Sequence, residues 1–173
     1  MERATFRSVV AQIPADRIVW VDETGIEERL FRAHARTMRG TRALGDISGK
    51  RVGRTTLIAG YGAGVLKAPM RFKGYTNTRV FNAWCEEVLA PELTPGNVVV
   101  MDSASFHKSK TTRDINEATG ATLLFQPKYS PDCNKSEPQW ANLKHRIRSD
   151  KSPATFIQKL DKHIRYMCNY KVS

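Results

Sequence analysis

The chain has 173 residues, 40% hydrophobic and 26% charged, a composition that argues against a disordered, low-complexity or coiled-coil protein. A formal net charge of +11 favours polyanionic partners such as nucleic acid, although a basic surface that serves solubility alone is the alternative. Three widely spaced cysteines, no signal peptide and no apolar run of bilayer-spanning length predict a soluble, cytoplasmic chain without a membrane partner.

The N-terminal part of the chain predicts a helix and then a strand. Apolar residues at helical spacing indicate a short helix over residues 2–12. A run of β-branched and aromatic residues over 17–21 is typical of a buried strand. Asp22 is expected at the carboxyl end of this strand, and Gly25 is expected to break it.

A loosely patterned segment from Glu27 to Gly53 follows and is rich in arginine and glycine. We interpret it as a long, very basic connection that contacts a DNA backbone, with a solvated loop as the alternative. Residues 54–61 and 65–72 then predict a strand hairpin with a tight turn at Gly62-Ala63-Gly64.

Helices and strands alternate in the second half of the chain. They are predicted as a helix capped by Thr78 and ended by Pro91, a strand over 97–101, a helix over 109–119, a strand over 121–125, a helix from Asn134 or Ser136 to about Arg148, and a last helix from Pro153. A hairpin followed by such alternation predicts an α/β fold with a mixed five-stranded sheet flanked by helices.

Three acids stand where a metal-dependent site needs them. Asp22 and Asp102 each follow a predicted strand, and Glu137 opens a helix. Because ligands of such sheets bind beyond the carboxyl ends of the strands, we expect these side chains to converge. Carboxylates suit Mg²⁺ or Mn²⁺, and two such ions can activate a water or a 3′-hydroxyl against a phosphodiester. Asp22 would bridge both ions, Asp102 would hold one and Glu137 the other.

Each acid also has a structural alternative. An Asp after a strand commonly forms a turn or caps a helix, and Glu137 would fit a capping box with Asn134. Glu23, Asp46 and Asp132 are weaker candidates for the metal site.

Polar and basic residues near the acids are candidates for contacting DNA. His107, five residues beyond Asp102, is placed to orient a phosphate or a water, and a structural hydrogen bond within its loop explains it equally well. The basic candidates are Arg39, Arg51, Lys108, Lys128 and Lys144. The four histidines lack H-E-x-x-H spacing, which argues against a zinc enzyme.

Three motifs, taken together and in order, resemble a known enzyme family. They are Val21-Asp22-Glu23-Thr24-Gly25, Met101-Asp102-Ser103-Ala104-Ser105-Phe106-His107-Lys108-Ser109 and Tyr129-Ser130-Pro131-Asp132-Cys133-Asn134-Lys135-Ser136-Glu137, with Trp140-Ala141-Asn142-Leu143-Lys144 after the third. With 34 residues between Asp102 and Glu137, residues 16–148 resemble the catalytic domain of mariner-like bacterial insertion-sequence transposases.

The resemblance implies a ribonuclease-H-like fold with an Asp-Asp-Glu triad, here Asp22, Asp102 and Glu137, that binds Mg²⁺ or Mn²⁺. We expect a helical lead-in over 1–16, the catalytic domain over 17–150 and a C-terminal helix over 151–173 packed on the same domain. The implied activity is hydrolysis and strand transfer of DNA at transposon ends, without the family's N-terminal DNA-reading region. The implied partners are double-stranded DNA, at transposon ends and target, and a second copy of the chain on that DNA, at the nucleoid of a bacterium.

The motifs depart from the family pattern around the second and third acids. Ser103 stands where the family usually has Asn, and Lys135-Ser136 stand where it has Pro-Ile. Pro138 directly follows Glu137, and proline disfavours helical geometry at the residue before it. These departures favour one alternative, a catalytically impaired or repurposed nucleic-acid-binding domain. A ribonuclease-H-like nuclease is a second alternative, which the order and spacing of the motifs disfavour.

Overall fold

A five-stranded sheet lies at the centre of the computed structural model, which describes residues 2–28, 38–41, 53–128 and 130–170. The strands are β1 (Ile18–Glu27), β2 (Arg54–Gly62), β3 (Val65–Lys73), β4 (Val98–Met101) and β5 (Thr122–Phe125). They are ordered β3-β2-β1-β4-β5, with β2 antiparallel to β1 and β3, and with β1, β4 and β5 parallel. The predicted mixed five-stranded sheet is confirmed. Most of the basic connection, including Asp46 and Arg51, lies outside the described residues.

Helices cover both faces of this sheet. They are α1 (Arg3–Ala11), α2 (Thr78–Trp84, continued by a π-helical segment Cys85–Leu89), α3 (Lys110–Ala118), α4 (Glu137–Ser149) and α5 (Phe156–Asn169). In the described part of the chain, no helix is both long and apolar enough to cross a lipid bilayer.

The first strand is longer than its apolar run predicts. Backbone pairing with β2 continues from Trp20 to Glu27, through Asp22 and Gly25. Gly25 does not break the strand, because it pairs with Thr56 of β2, and the side chain of Arg54 lies over it in the space that a Cβ would take. On the other side of β1, pairing with β4 stops at Trp20. Asp22 therefore lies inside a strand, at the level where one neighbouring strand has already diverged.

Two helix starts also differ from the prediction. Asn77, not Thr78, caps α2, since its side chain accepts a hydrogen bond of 3.0 Å from the Val80 amide. The last helix begins at Phe156 rather than Pro153, because Thr155 and Gln158 form a capping box. The hairpin turn is as predicted, with positive φ at Ala63 and Gly64.

The alternation of side chains along β1 assigns neighbouring residues to opposite faces of the sheet. Val19 and Val21 pack in a core with Phe81 and Trp84 of α2. Ile18, Trp20 and Ile26 point to the other face, where one core lies under α1 and another under α4 and α5. The same alternation places Asp22 and Glu23 on opposite faces, which decides their different surroundings.

Candidate active site

A cleft of about 410 Å³ lies beyond the carboxyl ends of β4 and β5. Asp22 reaches it from β1, Asp102 follows β4 directly, and Glu137 is the first residue of α4. The remaining lining residues are Ser103, Ala104, Gln126, Pro127, Lys128, Ser130 and Asn134. The structure thus brings the three predicted acids, which come from three separate elements, to a single cleft.

Asp22 is held by uncharged hydrogen-bond donors. Its Oδ2 accepts hydrogen bonds from Asn134 Nδ2 at 2.9 Å, Ser136 Oγ at 3.0 Å and Trp140 Nε1 at 3.0 Å. Its Oδ1 accepts from the Glu23 amide at 2.8 Å. Burial raises the pKa of Asp22 to about 6, because these donors offset only part of the lost solvation of the charged carboxylate.

The residues on either side of Glu137 account for two departures from the family pattern. Ser136 is fully buried and donates to Asp22, so a serine at this position adds a hydrogen-bond donor beside the acid. Pro138 lies in the first turn of α4, where a missing backbone N–H leaves no helical bond unmade, and Glu137 keeps its place as the first helical residue. The alternative capping box between Asn134 and Glu137 is not formed, because Ser136 occupies the cap position and Asn134 binds Asp22.

Asp102 is held by a charged partner instead. Its Oδ1 accepts hydrogen bonds from the Ala104 amide at 2.8 Å and from His107 Nδ1 at 2.6 Å. The opposite ring nitrogen, Nε2, lies 2.9 Å from Glu23 Oε1. A continuous chain of hydrogen bonds therefore runs from Glu23 through His107 to Asp102.

The His107 imidazole, at the centre of these hydrogen bonds, is a buried cation. Burial alone would lower the pKa of His107, but its hydrogen bonds to Asp102 and Glu23 outweigh that effect and raise the pKa to about 9. For Asp102 the signs are reversed. Burial would raise the pKa of this carboxyl group, but the hydrogen bonds from His107 and Ala104 bring it below the ordinary value. Of the two interpretations of His107, the structure shows the structural hydrogen bonds, since the side chain is 0% exposed and both ring nitrogens face carboxylates rather than the open cleft.

The basic candidates have different relations to the cleft. Lys128 is exposed and lines it. Lys144 lies seven residues after Glu137 on α4, and burial lowers its pKa while the Glu137 charge opposes that shift. Lys108 is exposed, with its ammonium 5.4 Å from the centroid of the Phe125 ring. Arg39 is exposed in a turn within residues 38–41.

The three acids are suitable ligands for a hard cation, but their carboxylates do not converge on a single position. Among the described residues, no three Asp, Glu, His or Cys side chains are grouped closely enough to hold a metal ion. Asp102 Oδ2 and the Glu137 carboxylate accept no hydrogen bond from that part of the chain, whereas Asp22 Oδ2 accepts three. A set of three carboxylates, with the nearby imidazole already engaged, fits Mg²⁺ or Mn²⁺ rather than zinc.

Sequence reasoning missed the residues that hold the acids. Helical spacing places Trp140 with Leu143 and Ile147 on one apolar face, and the available signal for its role is that a buried indole N–H generally needs an acceptor. Glu23 was considered as a metal ligand, but strand alternation next to Asp22 already turns it to the opposite face. Asn134 and Ser136 carry no local signal for their role. Asp132 pairs instead with Arg7 of α1.

The sheet order, with parallel β1, β4 and β5 and acids on β1, after β4 and at the start of α4, defines a ribonuclease-H-like domain with an acidic cleft. The family model described as DDE superfamily endonuclease matches residues 17–160, and the chain belongs to this family. Among curated proteins, no match was found.

Solved structures of transposases have the same fold. The catalytic domain of Mos1 mariner transposase matches with a TM-score of 0.60 and 15% identity, over 96% of this chain and 77% of that one. The Mos1 strand transfer complex matches with a TM-score of 0.66 and 17% identity, over 95% of this chain and 56% of that one. A simian T-cell lymphotropic virus intasome matches with a TM-score of 0.57 and 11% identity, over 93% and 51%.

These likenesses confirm the predicted resemblance to a mariner transposase catalytic domain at the level of the fold. This chain spans just over half the length of the Mos1 chain in the strand transfer complex.

Proposed function

We propose that this chain is the catalytic domain of a DNA transposase, which hydrolyses phosphodiester bonds at transposon ends and transfers the freed strand to a target. The observation that carries the proposal is that Asp22, Asp102 and Glu137, from three separate elements, line the same cleft. Membership of the DDE superfamily endonucleases supports the same class of reaction.

The three acids would hold Mg²⁺ or Mn²⁺, two ions in the full site. Such ions supply an activated oxygen nucleophile and stabilise the departing oxygen of a phosphodiester. In hydrolysis, a water oxygen forms a bond to phosphorus while a P–O bond of the DNA strand breaks, which leaves a hydroxyl and a phosphate end. In strand transfer, a 3′-hydroxyl replaces the water and displaces an oxygen of the target strand. The buried imidazolium and the uncharged donors hold Asp102 and Asp22 in place for these steps.

The partner of this site is double-stranded DNA, bound mainly through its backbone. Lys128 on the cleft, Lys108 beside it and Lys144 on α4 supply positive charge to phosphates that approach the acids. Cutting two transposon ends requires two active sites, so the expected assembly is a homodimer formed on DNA. The protein would act at the nucleoid of a bacterial cytoplasm.

A second candidate is a DNA-binding domain without catalysis. It is favoured by the hydrogen bonds that engage Asp22 and by the absence of three converged ligands among the described residues. Both candidates predict DNA binding, and they differ in whether strands are cut.

Nicking of end-labelled duplex DNA in Mg²⁺ or Mn²⁺ separates the two candidates. We expect the wild type to nick, Asp102→Asn to lose nicking, and Asp114→Asn to keep it. Asp114 is a matched control, because it is an exposed acid on α3 that pairs with Lys110 and does not line the cleft. Equal nicking by Asp102→Asn, or tight DNA binding by a wild type that never nicks, would contradict the proposed function.

Binding without sequence preference is the second expectation of this proposal. Lys128→Ala should weaken binding of all duplex sequences alike and reduce the salt dependence of log K by about one unit of slope. Lys110→Ala removes an exposed lysine that is already paired with Asp114 and should change the slope less. Fluorescence anisotropy across a series of salt concentrations measures both. Strong discrimination between sequences by this chain alone would contradict backbone-dominated binding.

A further inference from the structure

The buried histidine lies at a place where the backbone no longer joins two catalytic strands. The parallel ladder between β1 and β4 ends at the pair Trp20 and Val100. Two residues further along, Asp22 and Asp102 stand across a gap that no backbone hydrogen bond of this ladder spans. Beyond this pair, side chains are what can connect the two strand ends directly.

One chain of side-chain contacts bridges that gap. Glu23, next to Asp22 on β1, contacts His107 Nε2 at 2.9 Å, and His107 Nδ1 contacts Asp102 at 2.6 Å. The ring is fully buried, with its centroid 4.3 Å from those of Phe81 and Phe106. Two anchored nitrogens and two aromatic neighbours leave the imidazole one orientation.

We propose that His107, anchored by Glu23, is a positioning residue that fixes Asp102 relative to β1 and turns its Oδ2 toward the cleft. Oδ1 already accepts two hydrogen bonds, from Ala104 and His107, so Oδ2 is the oxygen left for a cation. Glu23 acts through His107 and is not itself a ligand. The inference rests on the proposed function for the identity of the cation.

Two substitutions of His107 separate positioning from simple filling of space. In His107→Asn, the amide nitrogen lies near the position of Nδ1 and can still donate to Asp102. In His107→Gln, the amide nitrogen lies near the position of Nε2 and can reach only Glu23. Each variant keeps one of the two contacts, and each leaves one carboxylate, that of Glu23 or that of Asp102, without its imidazole partner.

The readout is the affinity for Mn²⁺, measured by titration calorimetry on the full chain. We expect His107→Asn, which loses only the anchor on Glu23, to lose about 10-fold in Mn²⁺ affinity, and His107→Gln, which loses the donor to Asp102, to lose about 100-fold. These values are the two ends of the range typical of residues that orient a metal ligand. Thermal unfolding of both variants supplies the comparison, since both should be destabilised. Equal losses of Mn²⁺ affinity in the two variants would overturn the positioning role.

Glu23 provides an independent arm of the test. Glu23→Gln retains an oxygen that can accept from Nε2 and should keep Mn²⁺ affinity close to that of the wild type. Glu23→Ala frees the ring and should lose about 10-fold or more. If Glu23 were a ligand, Glu23→Gln would lose as much affinity as Asp102→Asn, and the proposal would fail.

The outcomes also distinguish this inference from the proposed function. A chain that binds Mn²⁺ with the expected pattern of variants but never nicks DNA would sink the transposase proposal and leave the positioning role standing. A wild type that binds no Mn²⁺ would overturn the positioning role as stated. The ¹⁵N-labelled imidazole signals of the metal-free protein check the geometry itself. Asp102→Asn should shift the Nδ1 proton and Glu23→Gln the Nε2 proton, and the absence of both shifts would overturn the proposed chain of contacts.

Discussion

Asp22 and Asp102 line the same cleft, yet they are held in opposite ways. Asp22 is surrounded by the uncharged donors of Asn134, Ser136 and Trp140. Asp102 is held by the His107 imidazolium and a backbone amide. The pKa of Asp22 is raised to about 6, whereas that of Asp102 is lowered.

The difference shows what each kind of partner does for a buried carboxylate. Uncharged donors orient the carboxylate but replace only part of its solvation, so the pKa is higher in the folded protein than in the unfolded chain. A nearby positive charge favours the ionised form and makes the carboxylate an anion before any cation arrives. We therefore expect Asp22 to gain most from a bound cation, because it is the acid whose charge the protein alone does not balance.

Neutralising each acid in turn tests this comparison with the largest expected effects. Asp22→Asn and Asp102→Asn should each reduce nicking by about 10³-fold, since a metal ligand contributes several kcal/mol to catalysis. Their effects on folding should differ, because folding makes the ionised form of Asp22 less favourable than it is in the unfolded chain and makes the ionised form of Asp102 more favourable. Thermal unfolding of the metal-free variants at pH 8 should show a lower Tm for Asp102→Asn and an unchanged or higher Tm for Asp22→Asn.

We expect the two variants to differ in stability by about 1–2 kcal/mol, after discounting for the half-exposed Asp102 side chain. Asp114→Asn again serves as the control for removing a surface charge. A larger loss of stability in Asp22→Asn than in Asp102→Asn would refute the contrast between the two acids.

The general layout of this site can be predicted from the sequence, but the difference between the surroundings of Asp22 and those of Asp102 cannot. Periodicity predicts most of the elements, and the rule that ligands bind beyond strand ends brings Asp22, Asp102 and Glu137 toward one another. The side-chain contacts that hold Asp22, and the contact between Glu23 and His107, join residues 84 to 118 positions apart, whereas His107 lies only five residues from Asp102. No local pattern specifies which loop side chain reaches which acid.

The length of β1 shows the same limit at the level of secondary structure. The polar run Asp22-Glu23-Thr24 is typical of a strand end, and on the β4 side the pairing does stop there. Pairing with β2 continues because antiparallel β2 offers a full set of backbone partners up to Arg54. Whether a polar segment extends a strand therefore depends on its neighbours in space.

The uncharged surroundings of Asp22 can be weakened by a single substitution with a close internal control. Trp140→Phe removes the indole donor to Asp22, and Trp84→Phe removes a buried indole donor to the Ala68 carbonyl. Both variants lose one hydrogen bond and part of a ring, so each should be destabilised by about 1–3 kcal/mol. Only Trp140→Phe should also reduce nicking, by about 10-fold, because only its donor orients a catalytic acid.

Chemical denaturation and nicking assays on the two tryptophan variants measure both quantities. An equal loss of nicking in Trp84→Phe would show that the effect comes from general loosening of the fold. Full activity in Trp140→Phe would show that Asn134 and Ser136 suffice to hold Asp22.

The dependence of stability on pH tests the charges of Asp22 and of His107, the partner of Asp102, without changing the geometry of the site, and its effect is spread over several pH units. A group whose pKa is higher in the folded state binds more protons there, so stability falls as pH rises through the interval between the unfolded and folded values. For Asp22 that interval runs from 3.8 to about 6, and for His107 it runs from 6.5 to about 9. The stabilisation from the imidazolium is therefore fully present below pH 6.5 and lost as pH approaches 9.

Denaturation of the metal-free wild type and His107→Asn between pH 6 and 10 isolates the second interval. The difference in unfolding free energy should shrink with rising pH by at most about 1.4 kcal/mol per pH unit, the limit for one proton.

Cys85 does not distort the comparison, because burial raises its pKa to about 12 in the folded state and both chains contain it. The groups that face His107 are Glu23 and Asp102, and the charge of Lys108 acts on Asp102. Asp22 is not among them, so Asp22→Asn should leave the pH dependence above pH 6.5 unchanged and alter only the pH dependence below pH 6. A difference between wild type and His107→Asn that stayed constant from pH 6 to 10 would mean that the imidazole is neutral, and the contrast between a charged and an uncharged environment would be lost.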